Sequence, residues 1–205
     1  TIRYGGRDRF ETAATLATAL DGQPTSAFLG TGSNFPDILS LAGPAAAREE
    51  PILLTNRDTL PQATLDYLNG SFGAKLKTIY IAGGEAVVGR AVADVLSARG
   101  LVLVRLEGSD RYATSAAIAE HFYGGGAQDQ VTLATGQTFA DGLAGAVNSA
   151  AVGAAVLLVQ RDILPKSSWD YLERHASTLV DGFVYGGTAA VSRAVQNVAQ
   201  TLIAP

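Results

Sequence analysis

Short apolar runs alternate along the chain with longer stretches in which apolar residues recur every three or four positions. The short runs are typical of buried strands, and the longer stretches are typical of helices with one apolar face. Their alternation predicts an α/β protein with mostly parallel sheets flanked by helices. The predicted strands are residues 2–4, 27–30, 52–55, 78–82, 101–106, 130–134, 155–159 and 182–185. The predicted helices of the first half are residues 10–20, 37–48, 61–69 and 88–99, with Asp37 as a candidate cap and Pro61 in a first turn.

The pattern occurs twice, because motifs of the first half return in the same order in the second half. Four landmarks correspond: Asp8-Arg9-Phe10 to Asp110-Arg111-Tyr112, Phe35-Pro36-Asp37 to Phe139-Ala140-Asp141, Arg57-Asp58 to Arg161-Asp162, and Gly83-Gly84 to Gly186-Gly187. We therefore predict two domains, residues 1–99 and 100–205, each with a four-stranded sheet and four helices. No linker rich in Pro, Ser or Gly separates the copies, so we expect them to pack tightly. The two Asp-Arg-aromatic triplets should occupy equivalent environments.

Composition narrows the classes of function. The chain has 15 basic and 19 acidic residues and a net charge of −4, so it lacks the broad positive field of a nucleic-acid binder. Apolar residues make up 47% of the chain, yet no run approaches the roughly 20 apolar residues of a membrane span. The absence of cysteine excludes disulfides and thiolate metal sites, and it favours an extracytoplasmic location. An anionic partner would have to be held by local arginines.

Most of the repeated polar residues follow a predicted strand and precede a predicted helix. This places them at the carboxyl edge of each sheet, where open α/β folds bind ligands. A guanidinium group there can hold a phosphate or carboxylate through two parallel hydrogen bonds. The candidate ligand-binding residues are Arg9, Arg57, Arg111, Arg161, Asp37 and Asp141.

Each candidate also has a structural explanation. Arg9 and Arg111 follow an aspartate directly, so each could close an internal ion pair, while Phe10 packs inward. Arg57 and Arg161 precede an aspartate, so each could form an ion pair in a solvated loop. The aspartates and glycines at the strand ends could simply satisfy the turn into the next helix. The sequence leaves both interpretations open.

Catalytic chemistry finds little support in the sequence. The two histidines, His121 and His175, both lie in the second copy, so a histidine-based acid-base or metal site would have to ignore the repeat. The glycine-rich segment Gly30-Thr31-Gly32 completes neither the dinucleotide nor the P-loop fingerprint. We therefore predict no catalytic residue, no metal and no cofactor.

These motifs resemble those of the cell wall-binding repeat 2 family, known from clostridial surface-layer and cell-wall proteins. The resemblance covers both copies. It is carried by residues 6–13 and 108–115, by Phe35-Pro36-Asp37 and Phe139-Ala140-Asp141, by Pro51-Ile52-Leu53-Leu54 and Ala155-Val156-Leu157-Leu158, and by the Gly-Gly turns. Ser115 and Ala155 depart from the family's usual Ala and Pro. Members typically carry three copies, arranged with pseudo-threefold symmetry, whereas this chain carries two.

The resemblance implies a fold and a function. The fold would be a Toprim-like or flavodoxin-like α/β unit, and the function would be non-covalent attachment to an anionic wall polymer, either teichoic-acid-like or a secondary polysaccharide. The family's anchoring segment carries over to Ile52, Leu53 and Leu54 and to Val156, Leu157 and Leu158, although the apolar pattern alone predicts buried strands there. A Toprim-like metal site would need a Glu and an Asp-x-Asp, and Glu85 has no such partner.

We therefore expect a non-enzymatic wall-attachment protein at the extracellular surface of a bacterium. Two alternatives stay open: an α/β small-ligand binder or uncharacterised enzyme, and a protein-protein assembly domain of a surface layer. The partners we expect are the polymer and a third repeat, a second copy of the chain or another subunit. We expect neither nucleic acid nor a membrane span.

Overall fold

The computed structural model describes residues 1–20, 22–126 and 129–203, and it forms two compact units. Unit 1 holds Thr1–Ile38 and Arg48–Leu106, and unit 2 holds Leu39–Ala47 and the chain from Glu107 onwards. The elements of the first half are α1 (Arg9–Thr18), β1 (Ser26–Thr31), α2 (Pro36–Ala47), β2 (Ile52–Thr55), α3 (Gln62–Asn69), β3 (Thr78–Ala82), α4 (Arg90–Ser97) and β4 (Val102–Leu106). Those of the second half are α5 (Arg111–Tyr123), β5 (Gln130–Thr135), α6 (Ala140–Val152), β6 (Ala155–Val159), α7 (Lys166–Arg174), β7 (Asp181–Tyr185) and α8 (Arg193–Ile203).

Both sheets are parallel, as the buried apolar runs predict. The sheet of unit 1 has the order β2-β1-β3-β4, and the sheet of unit 2 has the order β6-β5-β7. β1 and β5 are buried along nearly their whole length, because each lies between two neighbouring strands. The predicted α/β class with two tandem modules is confirmed.

The expectation of a four-stranded sheet in each module is correct for unit 1 only. The predicted strand at residues 101–106 is β4, and it pairs with β3 in the sheet of unit 1 instead of opening the second module. Residues 2–4, its counterpart in the first copy, form no strand. In the described residues the sheet of unit 2 therefore has three strands. The sequence pattern marked β4 as a strand, but the sheet that a strand joins depends on which edge is open beside it.

The boundary between the compact units also differs from the sequence-based division at residues 99 and 100. The main division follows Leu106, and Leu39–Ala47 of α2 groups with unit 2. Within unit 2, Leu39 lies against Gly142 on α6 so closely that a Cβ at the glycine would approach Leu39 Cδ2 to 2.4 Å. Part of a helix from the first repeat thus completes the second unit.

Local signals correctly set most helix starts. Asp8 and Asp110 cap α1 and α5, where their carboxylates accept hydrogen bonds from Glu11 N (2.9 Å) and Ala113 N (2.8 Å). Pro61, predicted in the first turn of a helix, is the cap residue immediately before α3, one position earlier than expected. The prediction that Asp37 caps α2 is wrong, because α2 begins at Pro36 and Asp37 lies inside its first turn.

None of the helices in the described part of the chain has the length and apolar character needed to cross a bilayer. In the same residues, no group of three or more His, Asp or Glu side chains is placed to hold a metal ion.

Glu120 in unit 2 belongs to a charged cluster with Arg174 and His175. Glu120 accepts a hydrogen bond from Arg174 Nη1 (2.7 Å) and lies 3.0 Å from His175 Nε2. Burial raises the pKa of Glu120, but the hydrogen bonds and charges of His175 and Arg174 outweigh it, and the net pKa lies below the ordinary value. A carboxylate with a lowered pKa in the folded state contributes stability above its unfolded pKa of about 4.3. That stability is lost as the pH falls through the folded-state pKa.

We therefore expect the free energy of unfolding of unit 2 to fall more steeply in the native protein than in Glu120→Gln between about pH 5 and about pH 3. Urea unfolding followed by the fluorescence of Trp169, the only tryptophan, measures this in unit 2. Parallel pH profiles of the two proteins would show that the cluster makes no contribution.

Candidate functional site

The Asp-Arg-aromatic triplet takes the same conformation in both repeats. Arg9 Nη1 donates to the carbonyl oxygen of Gly32, and Arg111 Nη1 donates to that of Gly136. The equivalence predicted for the two triplets is confirmed. The internal ion pair considered for Arg9 does not form in the described residues, because Asp8 caps α1 and Arg9 bonds to the loop after β1. Each arginine therefore connects a helix start to a strand end.

The aromatic residue of each triplet lies close against the loop glycine. A Cβ at Gly32 would lie 2.4 Å from Phe10 Cε1, and a Cβ at Gly136 would lie 2.9 Å from Tyr112 Cε1. The rings thus pack against backbone, as expected from their place at the helix starts.

Arg9 also lines a cavity at the carboxyl edge of the sheet of unit 1. The cavity is open to solvent, has a volume of about 330 Å³, and is formed by the loop of residues 31–35 together with Ile38 and Leu54. It combines one guanidinium group, backbone of a glycine-containing loop and apolar side chains. The structure therefore brings Arg9 and Leu54, predicted separately, into one concave site.

Asp37 and Asp141 point toward the Gly-Gly turns. Their Oδ2 atoms each lie 2.6 Å from where a Cβ would stand on Gly83 and Gly186, the first glycines of the turns. Both glycines have positive φ, +90° and +109°, which favours glycine at these positions. The two carboxylates, half-buried, therefore lie against these turns and support the carboxyl edge.

Arg57 and Arg161 lie in equivalent loops, and both are exposed. Their side chains are 63% and 57% exposed and lie near Asp58 Oδ2 (3.7 Å) and Asp162 Oδ2 (3.2 Å). Their carbonyl oxygens accept hydrogen bonds from Gly89 N (2.7 Å) and Ser192 N (2.8 Å), so the backbone of both loops is held. Exposed ion pairs contribute little to stability, and a ligand can replace the aspartate at small cost.

The segments expected to anchor the protein form strands at one edge of each sheet. Ile52, Leu53 and Leu54 lie in β2, and of these three only Leu53 is fully buried. Val156, Leu157 and Leu158 lie in β6, and each is at most 2% exposed. The strands predicted by the apolar pattern are confirmed. In β6 a polymer cannot touch these side chains unless the strand moves.

Two contributions to this region were not predicted. Arg105 Nη1 on β4 donates to the carbonyl oxygen of Gly83 (2.8 Å), so a strand that follows the first repeat holds the Gly-Gly turn of that repeat. Ser115 Oγ accepts a hydrogen bond from Leu158 N (3.0 Å) on the outer side of β6. One feature of the sequence pointed to this role of Ser115: a polar residue stands on an apolar helical face where the first repeat has Ala13.

Comparison with known proteins gives one family and a consistent fold. The profile described as Cell wall binding domain 2 (CWB2) matches residues 3–93 and 105–196. N-acetylmuramoyl-L-alanine amidase LytC of Bacillus subtilis is 28% identical over 196 residues, covering 95% of this chain and 38% of that protein. The Amidase enhancer of Bacillus subtilis is 32% identical over 167 residues, covering 80% of this chain and 22% of that protein. The chain thus spans well under half the length of these relatives.

Two solved structures are similar over nearly the whole chain. Cwp8 from Clostridium difficile has a TM-score of 0.82 at 26% identity, covering 96% of this chain and 33% of that chain. Cwp6 from Clostridium difficile has a TM-score of 0.80 at 22% identity, covering 97% of this chain and 31% of that chain, and at this identity it supports the fold alone. Since the family profile matches both repeats from their Asp-Arg-aromatic triplets through their Gly-Gly turns, the chain belongs to the cell wall binding domain 2 family, of which it carries two tandem copies.

Proposed function

We propose that the chain attaches a bacterial protein to the cell wall by non-covalent binding of an anionic wall polymer, and that it does so without catalysis. Family membership supports attachment to the wall. One observation favours an anionic ligand. Two exposed guanidinium groups, those of Arg57 and Arg161, lie at equivalent loops of a chain whose net charge is −4. The polymer would be teichoic-acid-like or a secondary polysaccharide, at the extracellular surface.

The repetition of the site suits a repeating ligand. A polymer presents the same charged group many times, and this chain presents the same arginine once in each repeat. Two weak contacts joined in one molecule bind more tightly than either alone, because the second forms at high effective concentration. The amidase activity named for the LytC relative is not carried over, since this chain corresponds to 38% of that protein.

Sedimentation with purified wall tests the proposal. The chain should pellet with intact wall and stay in solution with wall from which the secondary polymers have been removed. Added salt should release the chain, because exposed charge interactions are screened within roughly 10 Å at 0.1 M ionic strength. Equal pelleting with intact and stripped wall would overturn the proposal.

The variant Arg57→Ala with Arg161→Ala is expected to weaken wall binding at least about tenfold, because two charge-assisted contacts are lost. The binding isotherm on intact wall measures the loss. The matched control is Arg99→Ala with Arg174→Ala, which removes the same charge from one exposed arginine in each unit. These arginines follow or end helices, and so lie toward the opposite edge of the sheets. Equal loss in both double variants would mean that net charge alone, and not this site, governs binding.

A further inference from the structure

Among the described residues, the sheet of unit 2 ends at β7 and has no counterpart of β4, the strand that completes the sheet of unit 1. When the two repeats are aligned on their Gly-Gly turns, Ala82 at the end of β3 corresponds to Tyr185 at the end of β7. β3 has β1 on one side and β4 on the other, whereas β7 pairs with β5 alone in the described residues. An open strand edge presents unpaired backbone N–H and C=O groups, which are a template for a further strand.

A groove lies beside this edge. Its volume is about 270 Å³, and it is lined by β5, β7, the turn after β7 and α8, including Val184, Val191 and Ile203. In unit 1 the corresponding helix, α4, contacts β4, and Leu103 of β4 packs against the core. The groove therefore lies at the position in unit 2 that corresponds to the position of β4 in unit 1.

The chain contains a segment equivalent to that fourth strand. β4 immediately precedes the second Asp-Arg-aromatic motif, and residues 2–4 hold the same place before the first motif, with Arg3 matching Arg105. Residues 2–4 form no strand in this structure, and the Ile2 side chain is 77% exposed. A segment with the position and character of β4 is thus available for pairing.

We propose that residues 1–4 of one copy of the chain add as a parallel strand to β7 of a second copy. The pairing of β3 with β4 supplies the register: Ile2 opposes Phe183, Arg3 opposes Val184 and Tyr4 opposes Tyr185. Backbone hydrogen bonds give such strand addition its affinity, and side-chain pockets give it specificity.

The same template assigns two specific contacts. In unit 1, Arg105 Nη1 donates to Gly83 O (2.8 Å) and Gly83 N donates to Leu106 O (2.9 Å). Across the proposed interface, the guanidinium group of Arg3 donates to the carbonyl oxygen of Gly186, and Gly186 N donates to the carbonyl oxygen of Tyr4. The contact is heterologous, since it joins residues 1–4 of one copy to β7 of another. Copies can therefore join head to tail.

Association in the absence of wall material tests this inference independently of wall binding. In sedimentation velocity over about 1 to 200 µM, a range that covers weak interfaces, the mean mass should rise from the 21.1 kDa monomer toward a dimer or beyond. Deletion of residues 1–4, and separately Ile2→Asp, should abolish the rise. Val147→Asp on α6, which changes another exposed apolar surface, should leave it unchanged. A monomer at all concentrations, or association that survives both N-terminal changes, overturns the proposal.

Cross-linking tests the register. The native chain has no cysteine, so a mixture of Ile2→Cys and Phe183→Cys proteins should form a disulfide-linked heterodimer under mild oxidation. A mixture of Ile2→Cys and Leu143→Cys is the matched control, because Leu143 is exposed but lies on α6. Preferential cross-linking to position 183 supports the assigned register, and equal yields in the two mixtures contradict it.

Discussion

Replacing Leu157 with alanine is expected to lower the free energy of unfolding of unit 2 by about 3 kcal/mol. Leu157 is fully buried in β6 and packs in one core with residues of the neighbouring strand and helices. Truncation removes apolar contacts and leaves a cavity that a sheet flanked by helices cannot close completely. Urea unfolding followed by the fluorescence of Trp169 on α7 reports directly on this unit.

The matched control is Leu143→Ala, the same chemical change at a side chain that is 56% exposed on α6, and it should change stability by no more than about 0.5 kcal/mol. The comparison also bears on the anchoring segment. If burial is the role of Leu157, the variant should bind wall normally at temperatures where it is folded. A folded Leu157→Ala protein with native stability and no wall binding would show instead that the side chain contacts the polymer.

Replacing Gly186 with alanine is expected to cost about 2 kcal/mol more than replacing the adjacent Gly187. Gly186 has a φ of +109°, and its new methyl group would lie 2.6 Å from Asp141 Oδ2 and 2.9 Å from Ala190 Cβ. At Gly187, apart from the glycine and its two chain neighbours, no heavy atom of the described residues lies within 4 Å of the position of a Cβ. The two variants make the same chemical change at sites that differ in backbone φ and in the room for a methyl group. The same fluorescence measurement compares them.

A further variant separates the two causes at Gly186. In an Asp141→Ala background the carboxylate is absent, so Gly186→Ala should lower the free energy of unfolding by less than it does in the native protein. The loss that remains measures the strain of positive φ together with the contact to Ala190. Equal costs for Gly186→Ala and Gly187→Ala in the native background would contradict the close packing described for this turn. The result also measures how firmly Asp141 is held at the carboxyl edge.

The repeat was visible in the sequence because each landmark is local. The Asp-Arg-aromatic triplet carries its own helix cap, and the Gly-Gly turn carries a backbone that few other residues adopt. The apolar runs likewise identified β2 and β6 as strands before their burial was known. These features depend on neighbours within about one helical turn or along one strand, and so the linear order of residues contains the information.

The partner of Arg9 could not be predicted in this way. An arginine next to an aspartate is consistent with an ion pair, a ligand contact or a backbone contact, and the choice depends on which group lies opposite. Gly32, which accepts its hydrogen bond, is 23 residues away. The same holds for Asp37, which the pattern placed at a helix start and the fold places against Gly83.

The sequence by itself determined that this protein is a tandem parallel α/β repeat with capped helices, buried strands and arginines at the carboxyl edges. Only the tertiary structure decided that β4 belongs to the first sheet, that Leu39–Ala47 completes the second unit, and that β7 pairs on one side only within the described part of the chain. The physical reason is that periodicity reports whether a segment is helix or strand, while its neighbours are chosen by backbone hydrogen bonds and packing between residues distant in the chain.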